Sequence, residues 1–368
     1  MSIFDVLDLI GGLALFLFGM HIMGDALEKA AGSRLKNILA GMTGSPLRAL
    51  LLGLGVTAVI QSSSATTVMV VGFVNSGLME LRQAIGVIMG ANIGTTVTAW
   101  LLSLSGIQGD SLVLKLLKPS SFTPVLALIG ILLVLGSKRS VRRDAGTALL
   151  GFAVLMAGME TMSGAVAPLA HSEAFAGILL LFTNPILGVL AGAALTAVIQ
   201  SSSASVGILQ ALSATGAVTN AVAIPIIMGQ NIGTTVTALL SSVGTTRAAR
   251  RAALVHFYFN LIGTVVCLPV FWLIRDLAAP AILGEGATPF SIAVFHSVFN
   301  VTCTSLLFPF RGKLEALAIR TIPETAQDAP FAMLDERLLA TPAIATERCR
   351  ALICDMASRA ERNLLLAI

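Results

Sequence analysis

The sequence predicts an all-α polytopic membrane protein built from two inverted-topology repeats, each with a re-entrant helical hairpin. Three observations lead there. Only 11% of the 368 residues are charged and 56% are apolar, with a mean hydropathy of +0.90. The apolar runs are continuous, where a membrane barrel would alternate with period two. Two polar blocks recur at one fixed offset.

A soluble domain carries about 25% charged residues, so this chain has too little polar surface to cover a water-soluble globule. Asp5 and Asp8 stand where a secretory signal would have Lys or Arg, and no small-residue cleavage site follows. The stretch Ile10 to Met23 therefore reads as part of a retained span. Cys267 and Cys303 fall in apolar runs and Cys349 and Cys354 in a polar tail. None has metal-ligand spacing, and reduced thiols are expected.

Self-similarity carries the most information. VTAVIQSSSAT at Val56–Thr66 returns as LTAVIQSSSAS at Leu195–Ser205, and IMGANIGTTVTA at Ile88–Ala99 returns as IMGQNIGTTVTA at Ile227–Ala238. Gln61 maps onto Gln200 and Asn92 onto Asn231, both 139 residues apart. The same offset pairs Gly19 with Gly158 and Pro46 with Pro185. Apolar bias alone does not place QSSSA and NIGTTVT twice in one register. Such duplication marks transporter folds.

Full spans are expected at 6–27, 83–105, 121–137, 145–167, 220–243, 254–275 and 290–310. Stretches 47–78 and 186–217 are broken by QSSS and read as hairpins that enter and leave on one side. The basic clusters are Arg34 to Arg82, Lys138 to Arg143, Arg247 to Arg251, and Arg311 with Lys313. With the N-terminus outside, all four fall in the cytoplasm, as the excess of Lys and Arg there requires. Lys115, Lys118 and Arg275 fall outside. Three spans precede the second repeat, so it is inverted relative to the first. Complete spans in place of hairpins would keep the same parity. The expected organisation is repeat one at 1–137, a basic cytoplasmic linker at 138–144, repeat two at 145–310, and a cytoplasmic linker with an amphipathic helix at 311–368.

The polar blocks suggest a site. A break at QSSS creates a helix N-terminus whose free N–H groups and positive dipole end suit an oxyanion. Serine and threonine hydroxyls add donors. The preceding half-helix ends in free carbonyls, which together with Gln, Ser and Asn oxygens suit a monovalent cation such as sodium. Clustered Asn and Thr beside Gly94 and Gly233 suggest that each spanning helix unwinds locally; a Thr-rich packing seam is the alternative. His256–Asn260 and His296–Asn300 share His and Asn at i, i+4 on one helical face and are expected to be hydrogen-bonded structural histidines, with a gating role as the alternative. No catalytic triad, Walker A loop or HExxH pattern occurs, and no enzymatic activity is expected.

The duplicated QSSSAT/QSSSAS and NIGTT blocks resemble the type II sodium–phosphate cotransporter family over residues 5 to 310. The compact linker is similar to its bacterial members. The resemblance implies inverted repeats with two hairpins, inorganic phosphate as substrate and sodium as coupling ion, without further cofactor or metal. It implies phosphate binding by Ser62, Ser63, Ser64, Ser201, Ser202 and Ser203, with Thr95 and Thr234. It implies sodium binding by Gln61, Gln200, Thr66, Thr67, Asn92 and Asn231. Thr67 aligns with Val206, so the repeats are not equivalent.

After Arg320, a polar linker with Pro323 and Pro330 leads to Thr346–Ile368, which resembles the start of a PhoU-like helical domain. A bacterial inner membrane, with a cytoplasmic tail, is the expected location. The expected partners are phosphate, sodium and the lipid bilayer, with no nucleic acid; a homo-oligomer is left open. The alternatives to symport are a phosphate sensor acting through the tail and a transporter of another small oxyanion.

Overall fold

The structure is a computed structural model that describes residues 2–41, 45–107, 111–278, 281–323 and 342–367. The segment 324–341 of the expected polar linker lies outside the described residues. In chain order the helices are α1 (Ile3–Gly41), α2 (Pro46–Ile60), α3 (Ser63–Asn75), α4 (Leu81–Ser103), α5 (Leu112–Leu117), α6 (Pro119–Gly136), α7 (Ser140–Val166) and α8 (Glu173–Leu181). They continue with α9 (Pro185–Ile199), α10 (Ser202–Ser213), α11 (Asn220–Ser241), α12 (Arg247–Leu273), α13 (Ala281–Gly284), α14 (Pro289–Leu307), α15 (Arg311–Thr321) and α16 (Pro342–Ala367). Among the described residues the only β pairing is an isolated bridge between Thr219 and Gly286.

Among the described residues seven helical segments are long and apolar enough to cross a bilayer: Ile3–Ala30, Leu81–Gly106, Pro119–Gly136, Ser140–His171, Asn220–Ser241, Arg247–Ala278 and Pro289–Thr321. Each overlaps one of the seven runs read from the sequence, and the chain is an all-α polytopic membrane protein. The helices α5, α8 and α13 escaped that reading. The short apolar α8 meets α9 at a 102° bend, and Ile178, Leu180 and Leu181 on it are exposed.

The two NIGTT helices form the centre. Of the most apolar stretch of each span, 78% is buried in α4 and 67% in α11, against 17% in α1 and α6. Lipid offers no hydrophobic drive for helices to associate, so close backbone packing through small residues has to hold them. Here glycines do so in a repeating way. A Cβ at Gly53 or Gly90 would strike the α4 or α2 backbone at Val87 or Leu50. At the equivalent Gly192 and Gly229 it would strike Ile226 and Val189, across α9 and α11.

A second glycine contact joins the halves. Gly12 of α1 lies against Gly158 and Met162 of α7, and Gly19 against Gly151 and Leu155. The register runs backwards along α7, so the two helices are antiparallel. Each glycine meets the counterpart of the other, since positions 12 and 19 become 151 and 158 in the second copy. Phe16, Met23, Leu155, Met159 and Met162 close the core around this crossing.

Candidate functional site

The local chemistry of QSSS makes the helix breaks. α2 and α9 both begin with Pro in the first turn, behind a side-chain cap from Ser45 or Asn184. Proline is tolerated there because the first N–H groups have no intrahelical acceptor. Both helices end on glutamine in the left-handed region: Gln61 at φ 60°, ψ 22° and Gln200 at φ 57°, ψ 22°. Among the described residues these are the only non-glycine residues with positive φ. Such a conformation costs about 1–2 kcal/mol, and strain of this kind collects at functional sites. The next residue is extended and caps the following helix. Ser62 Oγ accepts from Ala65 N at 3.1 Å, and Ser201 Oγ accepts from Ala204 N at 3.2 Å.

Capping satisfies some groups and leaves others free. The N–H groups of Ser63, Ser64, Ser202 and Ser203, and their hydroxyls, make no hydrogen bond among the described residues. Yet Ser63, Ser202 and Ser203 are 5%, 6% and 7% exposed. Their free donors face a cavity of about 310 Å³ lined by Gln61–Ser64 and by Gln200–Ser203. Two helix N-termini, each with a positive dipole end, therefore open into one space.

α1 forms another wall of this cavity with Met20, His21, Gly24, Asp25 and Glu28. The sequence reading missed these residues. The available signal was a set of three ionisable residues at i, i+4 and i+7 inside an apolar run.

The other expected site residues do not line the cavity. Thr66 is buried and tied in: Thr57 Oγ1 donates to Thr66 Oγ1, which donates to the Ser62 carbonyl, each at 3.0 Å. Thr67 is buried with its hydroxyl unpaired. Asn92 and Asn231 donate back to Ile88 O and Ile227 O at 2.9 and 2.8 Å. Thr95 and Thr234 donate back to Ala91 O and Gln230 O.

These back-bonds correct the expected unwinding at NIGTT. α4 and α11 run through it unbroken. The side chains are satisfied by carbonyls one turn earlier, as Ser and Thr in helices commonly are. The glycine is there for packing: a Cβ at Gly94 would sit 2.6 Å from Leu54 O.

The histidines also differ from expectation. His256 and His296 are each 1% exposed, but both ring nitrogens of His256 and Nδ1 of His296 have no partner. Asn260 and Asn300 donate to the His carbonyl four residues back, which leaves their Oδ1 atoms unpaired. The pattern extends to Thr264 and Thr304, again buried and unpaired. Cys267 and Cys303 are free thiols with sulfurs 3.9 Å apart.

Comparison with known proteins follows the duplication. The model of the Na+/Pi-cotransporter family matches twice, over residues 15–164 and 155–271. The putative inorganic phosphate export protein YjbB of Escherichia coli K12 is 29% identical over 344 residues, covering 92% of this chain and 60% of that protein. The uncharacterized protein YqeW of Bacillus subtilis is 31% identical over 312 residues, covering 84% of this chain and 95% of its own length. The rat sodium-dependent phosphate transport protein 2A is 37% identical over 98 residues, 26% of this chain and 15% of that protein. The chain spans 60% of the length of the phosphate export relatives. No solved structure matches it. With the family model matched once in each half, the chain belongs to the Na+/Pi-cotransporter family.

Proposed function

We propose that this protein is a sodium-coupled secondary transporter of inorganic phosphate that works by alternating access. The observation that carries the reading is the shared cavity: both QSSS breaks, 139 residues apart in sequence, line it. Phosphate binds the free N–H and hydroxyl donors of Ser62–Ser64 and Ser201–Ser203. Sodium takes oxygens from the helix ends and from Gln61 and Gln200. Thr66, Thr67, Asn92, Asn231, Thr95 and Thr234 support the two tips from behind. The names of the relatives, one for phosphate export and one for sodium-dependent phosphate transport, agree with this substrate and this ion.

In this reading α2–α3 and α9–α10 are re-entrant hairpins in repeats of opposite orientation. α2 and α3 have 15 and 13 residues, about 22 and 20 Å, too short for a hydrocarbon core of about 30 Å. Asn75, at the end of the first hairpin, accepts from Thr246 N at the start of α12. Gln210, in the last turn of the second, donates to Pro289 O at the start of α14. Consecutive spans start on opposite faces, so the hairpins open to opposite sides. The antiparallel, reciprocal packing of α1 and α7 agrees. In this reading the protein sits in a bacterial inner membrane with the N-terminus outside and the tail in the cytoplasm, an orientation that the basic clusters favour. Rocking of one repeat against the other would then open the site to each side in turn.

Flux of radiolabelled phosphate into proteoliposomes tests the proposal. Accumulation that follows an imposed sodium gradient is expected. Flux indifferent to sodium contradicts coupling, and phosphate binding without flux identifies a sensor.

A further inference from the structure

The cavity has one feature that a phosphate site does not call for: its ionisable wall is acidic. His21, Asp25 and Glu28 lie on one stripe of α1, at i, i+4 and i+7, and all three line the cavity. Gly24 on the same stripe brings α1 against the end of α2, where a Cβ would stand 3.3 Å from Ile60 O. His21 Nε2 is 3.6 Å from Asp25 Oδ2, with the side chains 75% and 51% exposed. Among the described residues no Lys or Arg lines the cavity. Ionisable residues in a spanning helix that face a cavity rather than lipid mark ion pathways.

Packing does not account for the stripe. α1 holds α7 through a different set of residues, Gly12, Phe16, Gly19 and Met23. The stripe is not duplicated either: the equivalent positions are Glu160 and Gly164 on α7 and Ala167 just past its end. Deeper in the cavity stand the unpartnered hydroxyls of Ser63, Ser202 and Ser203, each on a residue more than nine-tenths buried. An anion held by those donors shares the cavity with two carboxylates. Like charges in a partly enclosed space repel strongly, so Asp25 opposes the anion until a cation lies between them.

We propose that Asp25, assisted by Glu28, is a specificity-determining residue for the coupling cation: it gathers sodium at the cavity mouth and makes anion binding follow cation binding. This rests on the reading of the cavity as a phosphate and sodium site. His21 is the alternative partner of Asp25 and holds it in place when no cation is bound.

The test uses the full chain with Asp25→Asn, Asp25→Glu and Glu28→Gln. Binding of ²²Na⁺ is measured in detergent without phosphate, and flux of radiolabelled phosphate is measured in proteoliposomes against sodium concentration. Asp25→Asn should raise the sodium half-saturation about tenfold in both assays, the loss of one close charge pair. Asp25→Glu should restore most of the sodium affinity, and Glu28→Gln should shift it in the same direction by less. Unchanged half-saturation in Asp25→Asn overturns the proposal. So does loss of flux in both Asp25 variants with sodium binding intact. Should neither Asp25 variant fold, unchanged half-saturation in Glu28→Gln overturns it. Sodium binding that depends on Asp25, in a chain that moves no phosphate, would leave this proposal standing and remove the substrate reading instead.

Discussion

The two hairpins share sequence and backbone but not hydrogen bonding. In the first, Thr57, Thr66 and the Ser62 carbonyl form a closed chain, and Thr98 Oγ1 donates to Gln61 Oε1 at 3.0 Å. In the second, the equivalent hydroxyls of Thr196, Ser205 and Thr237 are buried with no partner. Gln61 is buried, whereas Gln200 is exposed. A different residue steadies the second tip: Gln230 Nε2 donates to Ser205 O at 3.0 Å, and its counterpart in the first repeat is Ala91. A buried hydroxyl left unpaired costs about 1–3 kcal/mol. The first tip is therefore the more fully hydrogen-bonded of the two behind the cavity, with the Thr67 hydroxyl still unpaired. The second keeps three hydroxyls unpaired behind its tip, away from the cavity lining. Duplication fixed the backbone, while single differences such as Thr66 against Ser205 and Ala91 against Gln230 divided the work.

The comparison can be broken first where the repeats should behave alike. Gly19→Val and Gly158→Val each push a side chain into the backbone of the partner helix, at Leu155 or Phe16. Both should abolish monodisperse protein in size-exclusion chromatography, a cost above about 4 kcal/mol. If either is tolerated, the reciprocal contact does not hold the halves together. Next is the site itself. Ser63→Ala combined with Ser202→Ala removes one hydroxyl from each tip and should lower phosphate flux about 100-fold, two hydrogen bonds to a charged ligand at about 1.5 kcal/mol each. Membrane insertion should be unchanged, and near-normal flux would take these serines out of the site.

The smallest effect sharpens the difference most. Thr57→Val breaks the buried bond to Thr66 and should destabilise the protein by about 1 kcal/mol. Thr196→Val breaks none and should leave thermal stability unchanged or slightly raised. Equal losses would mean that the two tips are alike after all.

Much of this was legible in the sequence, for identifiable reasons. Continuous apolar runs give spans wherever a helix must satisfy its own backbone in lipid. The polar QSSS inside such a run marks a break, and the offset from Gln61 to Gln200 ties the two breaks together. What stayed hidden depends on partners rather than on composition. Asn92 and Thr95 read as ligands because they are polar, but a carbonyl one turn back is enough to satisfy each. Asp25 was passed over, because only the fold sets Gly24 against Ile60 and brings the stripe to the cavity. The His256 and His296 motifs looked satisfied because histidine usually is when buried; which neighbours it meets is a tertiary fact.

The central claim is that both hairpin tips touch one bound anion. Single cysteines at Ser63 and at Ser202, with Cys267, Cys303, Cys349 and Cys354 replaced by alanine, can be labelled with a small thiol reagent with and without phosphate. Phosphate should slow labelling at both positions, and sodium should strengthen the protection at both. Protection at one tip alone, or at neither, would contradict the account.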